Sequence, residues 1–256
     1  MTDGSQLIRG LEGVVAAETR LCDLDGRNGR LAYGGYDIDE LARQASFEEV
    51  AYLLWHDELP THAQLDRFRI ELAAARPIPA DLVRAFALMP RETDPMRVLQ
   101  AAVAVLGMHD PDATDNSRPA NLRKAARLTS QVATAICAHH RVRSGLPPVP
   151  PAQELSLAAN FLYMLTGQRP SDVNARAFDA SLVLYAEHEL NASTFTARVI
   201  ASTLSDMHSA VAGGVGALKG PLHGGAGEAV MLTLREIGAI ENVGPFVGKA
   251  LAAKRR

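Results

Sequence analysis

The chain has 256 residues, 47% of them apolar and 21% charged, with a net charge of −3, the composition of a water-soluble globular protein able to build its own core. The pI near 6.2 and the lack of long runs of one sign exclude the basic face of a dedicated nucleic-acid binder. Two distant cysteines, Cys22 and Cys137, exclude a disulfide framework, and no stretch approaches the ~20 apolar residues of a membrane helix.

Residues 1–10 contain no apolar h-region, so no signal peptide is read and a cytoplasmic setting is expected. Alanine supplies 42 residues, about a sixth of the chain, against 5% aromatics. Alanine is the best helix former and lets helices approach closely, so an all-α fold is expected. Two Asx-Gly pairs, Asp25-Gly26 and Asn28-Gly29, predict a β-hairpin within residues 14–36, because glycine accepts positive φ. No other strand is predicted.

From Asp37 onward the apolar period becomes 3.6. Ser46 with Glu49, and Thr61 with Gln64, form capping-box signatures; Asp94-Pro95 places a cap and an N1 proline before a helix over 96–109. Residues 121–143 predict the longest helix, with Leu122, Ala125, Leu128, Val132, Ile136 and His140 along one face. Prolines 147, 148, 150 and 151 break the chain. Helices are then predicted over 152–166, 170–187 and 194–212, and the last would span about 28 Å. Its small residues, Ala197, Ala201, Ser202, Ser205, Ser209 and Ala210, permit close helix contact inside the domain or across a subunit interface.

Several motifs fail as chemistry. His188-Glu189 opens like a zinc-protease motif, but position 192 is alanine, so the second ligand is absent. His139 and His140 cannot share one helix face, and no Cys/His cluster surrounds them. Residues 213–219 (GGVGALK) lack the Gly-Lys-[Ser/Thr] ending of a phosphate loop. Cys137 reads as a buried small hydrophobe, and residues 112–118 as a solvated loop.

Residues 220–230 (GPLHGGAGEAV) place His223 between a proline turn and two glycines, ahead of an apolar helix. The glycines, Gly224 among them, allow close approach of a ligand to the backbone. An adjacent helix N-terminus disfavours imidazolium, and a neutral histidine can donate to an oxygen gaining negative charge, as in an enolate-forming site. A loop histidine capping a helix is the alternative. Residues 187–194 read by themselves as a helix–helix turn capped by Asn191 or Ser193.

With these segments the chain closely resembles the citrate synthase family, in the bacterial form shared with 2-methylcitrate synthase. The resemblance is carried by residues 10–15 (GLEGVV), 25–38, 46–55 (SFEEVAYLLW), 58–60, 188–195 (HELNASTF) and 220–226 (GPLHGGA). It implies an all-α large domain over 1–222 with the hairpin appended, and the beginning of a truncated small domain over 223–256. It implies condensation of acetyl-CoA with oxaloacetate to citrate and CoA, or of propionyl-CoA in the 2-methylcitrate variant. No cofactor or metal is implied, the acyl-CoA being a substrate, and the expected assembly is a homodimer.

By the same resemblance, His223 hydrogen-bonds the thioester oxygen during enolisation, His188 and Asn191 bind oxaloacetate, and Ser193 and Gly224 support the site. His188 and His223 are expected to converge at one cleft. Family members usually carry arginine where this chain has Gly34, and the segment after Thr19 reads Arg20-Leu21-Cys22. The family's proton-abstracting aspartate and substrate arginines match no residue of this chain. The expectation is therefore that the 256 residues alone condense poorly or not at all; a non-catalytic dimerising paralogue is the competing reading.

Overall fold

The computed structural model describes residues 17–253, the side chains of 226–228 excepted; the family-like stretch 10–15 lies outside them. Strands β1 (Cys22–Asp25) and β2 (Arg30–Tyr33) pair antiparallel, with Cys22 opposite Tyr33 and Asp25 opposite Arg30. Asp25 closes the turn by accepting from the N–H groups of Arg27 and Asn28 at 3.0 and 3.1 Å, and Gly29 takes φ +65°. A two-residue strand β3 (Tyr36–Asp37) adds to the free edge of β2. It is too short to leave a period in the sequence.

Gly34, between β2 and β3, has φ +53°, and a Cβ there would sit 3.1 Å from Leu53 Cδ1. Both the backbone twist and the space favour glycine at this position. The neighbouring Tyr33 is fully buried, in a cluster with Leu41, Val50, Leu53 and Val183. The hairpin is thereby pinned to the helical array.

Twelve α-helices follow among the described residues: α1 (Ile38–Gln44), α2 (Phe47–His56), α3 (His62–Ala74), α4 (Ala80–Leu88), α5 (Pro95–Met108), α6 (Arg118–Arg143), α7 (Leu157–Thr166), α8 (Asp172–Leu184), α9 (Ala192–Ser202), α10 (Met207–Leu218), α11 (Gly225–Ile237) and α12 (Val243–Ala252). None is long and apolar enough to cross a membrane. The capping boxes of Ser46 and Thr61 both form, and Asp94 caps α5 ahead of Pro95. The all-α class with a small β appendage is the observed one.

Three elements differ from the sequence expectation. The expected single helix over 194–212 is two, α9 and α10, packed against each other. Leu204 adopts φ +63° between them, and the Asp206 carboxylate caps α10 by accepting from Ser209 N–H at 2.8 Å. Glycine makes the contact possible: a Cβ on Gly213 would lie 2.2 Å from Ile200 Cδ1, and one on Gly214 3.3 Å from Ser193 O. Residues 213–218 are therefore helical, and their glycines serve packing.

The expected helix over 152–166 begins only at Leu157, because residues 153–155 form a turn and bend held by other contacts. Arg76 donates to the carbonyls of Ala152 and Leu155, and Ala152 N–H donates to Asn160 Oδ1. In α6, Ile136 and His140 are exposed while Lys124, Thr134, Ala138 and Arg141 are buried. Neighbours pack around this helix on several sides, so a single apolar stripe misstates its surroundings. Cys137 is buried as expected, and burial pushes its thiol up to about 12.

The loop before α6 is not merely solvated. Arg127 chelates Asp110 with two hydrogen bonds of 2.7 Å and reaches Asp112 at 2.6 Å; Arg123 adds two more bonds to Asp112. Lys124, fully buried, donates to the Asp115 carbonyl at 2.6 Å.

Candidate active site

The end of α8 and the start of α9 frame the turn that carries His188 and Asn191. Tyr33 O–H donates to the Leu184 carbonyl at 3.1 Å, tying the hairpin to the last residue of α8. Glu187 then bends the chain back on itself. Its Oε1 accepts from Glu189 N–H at 2.8 Å and from the Cys22 thiol at 3.4 Å, while Glu189 holds φ +60°. A left-handed glutamate is strained by about 1 kcal/mol or more, and the Glu187 contact offsets that strain. Burial, helped by the Glu187 contact, pushes the Cys22 thiol up to about 11, so it stays a protonated donor.

His188 is exposed on this turn and lines an open cleft of about 580 Å³ with Asn191, Glu189, Cys22 and Asp23. The hairpin forms one wall of the cleft and the α8–α9 turn the other. Asn191 is also the N-cap of α9, accepting from Thr194 N–H at 2.9 Å and facing the Ser193 hydroxyl at 2.7 Å.

His223 arrives from the far end of the α9–α10 pair. After α10 the chain makes a tight turn in which His223 N–H bonds the Gly220 carbonyl at 3.0 Å and Gly224 N–H the Leu218 carbonyl at 2.9 Å. The imidazole, half-buried, places Nε2 2.9 Å from Ser193 Oγ. A continuous chain thus runs from His223 through Ser193 to Asn191, which shares its cleft with His188. No hydrogen bond joins the two imidazoles themselves among the described residues. Sequence reading named these side chains, but it missed Glu187, Tyr33 and Cys22, which set the His188 turn from 150 or more residues away in two cases.

The single Ser193 hydroxyl proton goes either to Asn191 Oδ1 or to His223 Nε2, and the imidazole tautomer decides whether Nε2 accepts it. When it goes to Nε2, a neutral imidazole carries its proton on Nδ1, leaving that N–H to donate to a ligand. No group of three or more His, Cys, Asp or Glu able to hold a metal occurs among the described residues.

Gly224 fixes this geometry by having no side chain. A Cβ there would lie 2.1 Å from the Leu218 carbonyl oxygen, whereas one on Gly225 would meet nothing closer than 3.7 Å. Gly224→Ala is expected to lower stability by about 1–3 kcal/mol and to shift the His223 imidazole resonances, with Gly225→Ala near neutral. Urea unfolding and imidazole NMR check this; equal behaviour of the two variants would refute it.

A family model for "Citrate synthase, C-terminal domain" matches residues 10–256. Citrate synthase 2 of Bacillus subtilis is 45% identical over 97% of this chain and 66% of its own length. The 2-methylcitrate synthase of Mycobacterium tuberculosis is 43% identical, over 97% of this chain and 63% of its own. Among solved structures, a citrate synthase from Thermoplasma acidophilum in ternary complex with carboxymethyl coenzyme A and oxaloacetate superposes with a TM-score of 0.85 at 31% identity, covering 96% of this chain and 65% of that one. The chain thus spans about two thirds of the length of the relatives it matches.

Proposed function

The chain belongs to the citrate synthase family, and on that premise we propose that it carries the carbonyl- and enolate-binding half of a condensation of acetyl-CoA with oxaloacetate to citrate and CoA. The observation that supports this most is the His223–Ser193–Asn191 relay opening onto the His188 cleft. A thioester methyl proton is too weakly acidic to leave unless the enolate oxygen is stabilised as a carboxylate base pulls. In this reading His223 donates Nδ1–H to that oxygen, with Ser193 holding Nε2. His188 and Asn191 bind oxaloacetate and polarise its ketone for attack by the enol. Hydrolysis of the citryl thioester then releases CoA and drives the reaction.

Removal of the methyl proton calls for a carboxylate near His223. Among the described residues none is hydrogen-bonded to it, and Glu187, beside His188, is engaged with Cys22 and Glu189. The proposal therefore assigns no base among the described residues. Release of CoA thiol from acetyl-CoA by the purified chain is expected to stay near the protein-free blank, with or without oxaloacetate. Robust oxaloacetate-dependent release would place the base within this chain and overturn that division of labour.

Propionyl-CoA is the second acyl donor to consider. The 2-methylcitrate relative matches about as well as the citrate synthases do, and one methyl in a pocket is worth only ~1–3 kcal/mol. A homodimer through α9 and α10 accompanies the proposal. No residue of α9 is buried, and Phe195, Val199 and Leu204 stand exposed along this pair. Residues 223–256 are assigned to the start of a second, smaller unit. Val230, Leu232 and Leu234 of α11 and Val247 of α12 remain about half exposed rather than packed on the array. The two unpaired thiols, Cys22 and Cys137, suit a cytoplasmic setting.

A further inference from the structure

A cavity of about 230 Å³ lies between the ends of α4, α5 and α6, sharing no lining residue with the His188 cleft. Its body is apolar: Phe86, Leu99, Ala102, Ile136 and Leu165 are among the residues that face it. Its polar groups are all on the last turns of α6: His139, His140 and Arg143. No acidic side chain lines it. Arg143 is half-buried and makes no hydrogen bond or ion pair among the described residues, unlike Arg141 two positions earlier, which is fully engaged by the carbonyls of Pro147 and Leu165.

The three polar groups are not equivalent. His139 is buried and stands edge-on to Phe86, with ring centroids 5.5 Å apart. Burial, together with the charges of Arg143 and His140, pushes its pKa down, so it is neutral at pH 7 and adds a hydrogen-bonding atom but no charge. The fixed charge at the rim is the Arg143 guanidinium, whose planar fork matches a carboxylate.

An apolar cavity of ~150 Å³ holds a benzene-sized ligand, so this one holds a body of roughly eight to ten non-hydrogen atoms by proportion. We infer that the α4–α5–α6 cavity is a binding site for a monocarboxylate with a compact apolar body, its tail against Phe86, Leu99 and Ile136 and its carboxylate on Arg143. This goes beyond the proposed condensation and does not depend on it. Oxaloacetate, small and doubly charged, does not suit an apolar chamber with one cation at its mouth.

Octanoate is the probe, titrated calorimetrically into the full 256-residue chain, with octanol as its uncharged counterpart and acetate as its tail-less one. The expected result is saturable one-to-one octanoate binding, at least tenfold tighter than octanol, and no measurable acetate binding. Arg143→Gln, in the last turn of α6, is expected to weaken octanoate about tenfold and leave octanol unchanged. Ile136→Trp, on a side chain already 36% exposed, is expected to fill the mouth and abolish both. His188→Ala is expected to change neither, which separates this site from the candidate active site. Absence of saturable octanoate binding, equal affinity for octanoate and octanol, or octanoate binding indifferent to Arg143→Gln would each overturn the assignment.

Discussion

Replacing Arg127 by alanine is expected to destabilise the fold by about 3 kcal/mol, while the same change at Arg123 is expected to cost far less, because an exposed ion pair is weak. The two arginines sit one turn apart on α6 and share Asp112, yet their surroundings differ. Asp110, whose side chain is 1% exposed, depends on Arg127 for both of its guanidinium bonds. Removing Arg127 leaves a buried carboxylate that keeps only the Asp112 N–H at 2.8 Å and His208, 3.4 Å away, and burial holds the His208 imidazole toward its neutral form. Arg123, by contrast, is 48% exposed, and Asp112 keeps Arg127 when Arg123 is lost. Urea unfolding midpoints of the two variants test the difference; equal losses would refute it.

The cluster joins three helices and so reaches the candidate site. Asp110 follows α5, Arg127 lies on α6 and His208 on α10, where Gly107 leaves room for the His208 ring (a Cβ there would be 2.8 Å from His208 Cβ). α10 leads directly into the turn that carries His223. Acid acts on the same groups. The His208 pKa is lowered by burial, so the unfolded chain takes up a proton first as pH falls below its ordinary value of 6.5, and stability present above that pH is lost. Asp112, held down by Arg123 and Arg127, adds a further loss below its ordinary value of 3.8.

Features set by local chemistry were legible in the sequence. Ser46 with Glu49, Thr61 with Gln64, and Asp94 before Pro95 each satisfy orphan N–H groups within one turn, so their signals are complete in four residues. The Asp25–Gly29 turn is equally self-contained. The break at Leu204 was missed because the run of small residues continues the helical pattern through it; only the Asp206–Ser209 cap marks the restart, and it competes with an uninterrupted period. The contacts of α6 were misjudged because a helix packed on several sides has no single stripe to display. In the candidate site, His188, Asn191, Ser193 and His223 were named through their motifs. The groups that hold them in place, Tyr33, Cys22 and Glu187, were not. Their roles arise from contacts across the chain that no spacing rule encodes.

The cleft between the α8–α9 turn and the β1–β2 hairpin, with His188 and Asn191 on its wall, is the proposed binding site for oxaloacetate. A hydrogen bond from a protein donor to a charged ligand is worth ~1.5–3 kcal/mol, which converts to about ten- to hundredfold in affinity. Calorimetric titration of oxaloacetate into the purified chain, wild type beside His188→Ala, is the direct measurement. Wild type is expected to bind saturably and one-to-one, and the variant ten- to hundredfold more weakly while its unfolding midpoint is retained. No saturable binding by wild type, or the same affinity in a folded His188→Ala chain, would contradict it.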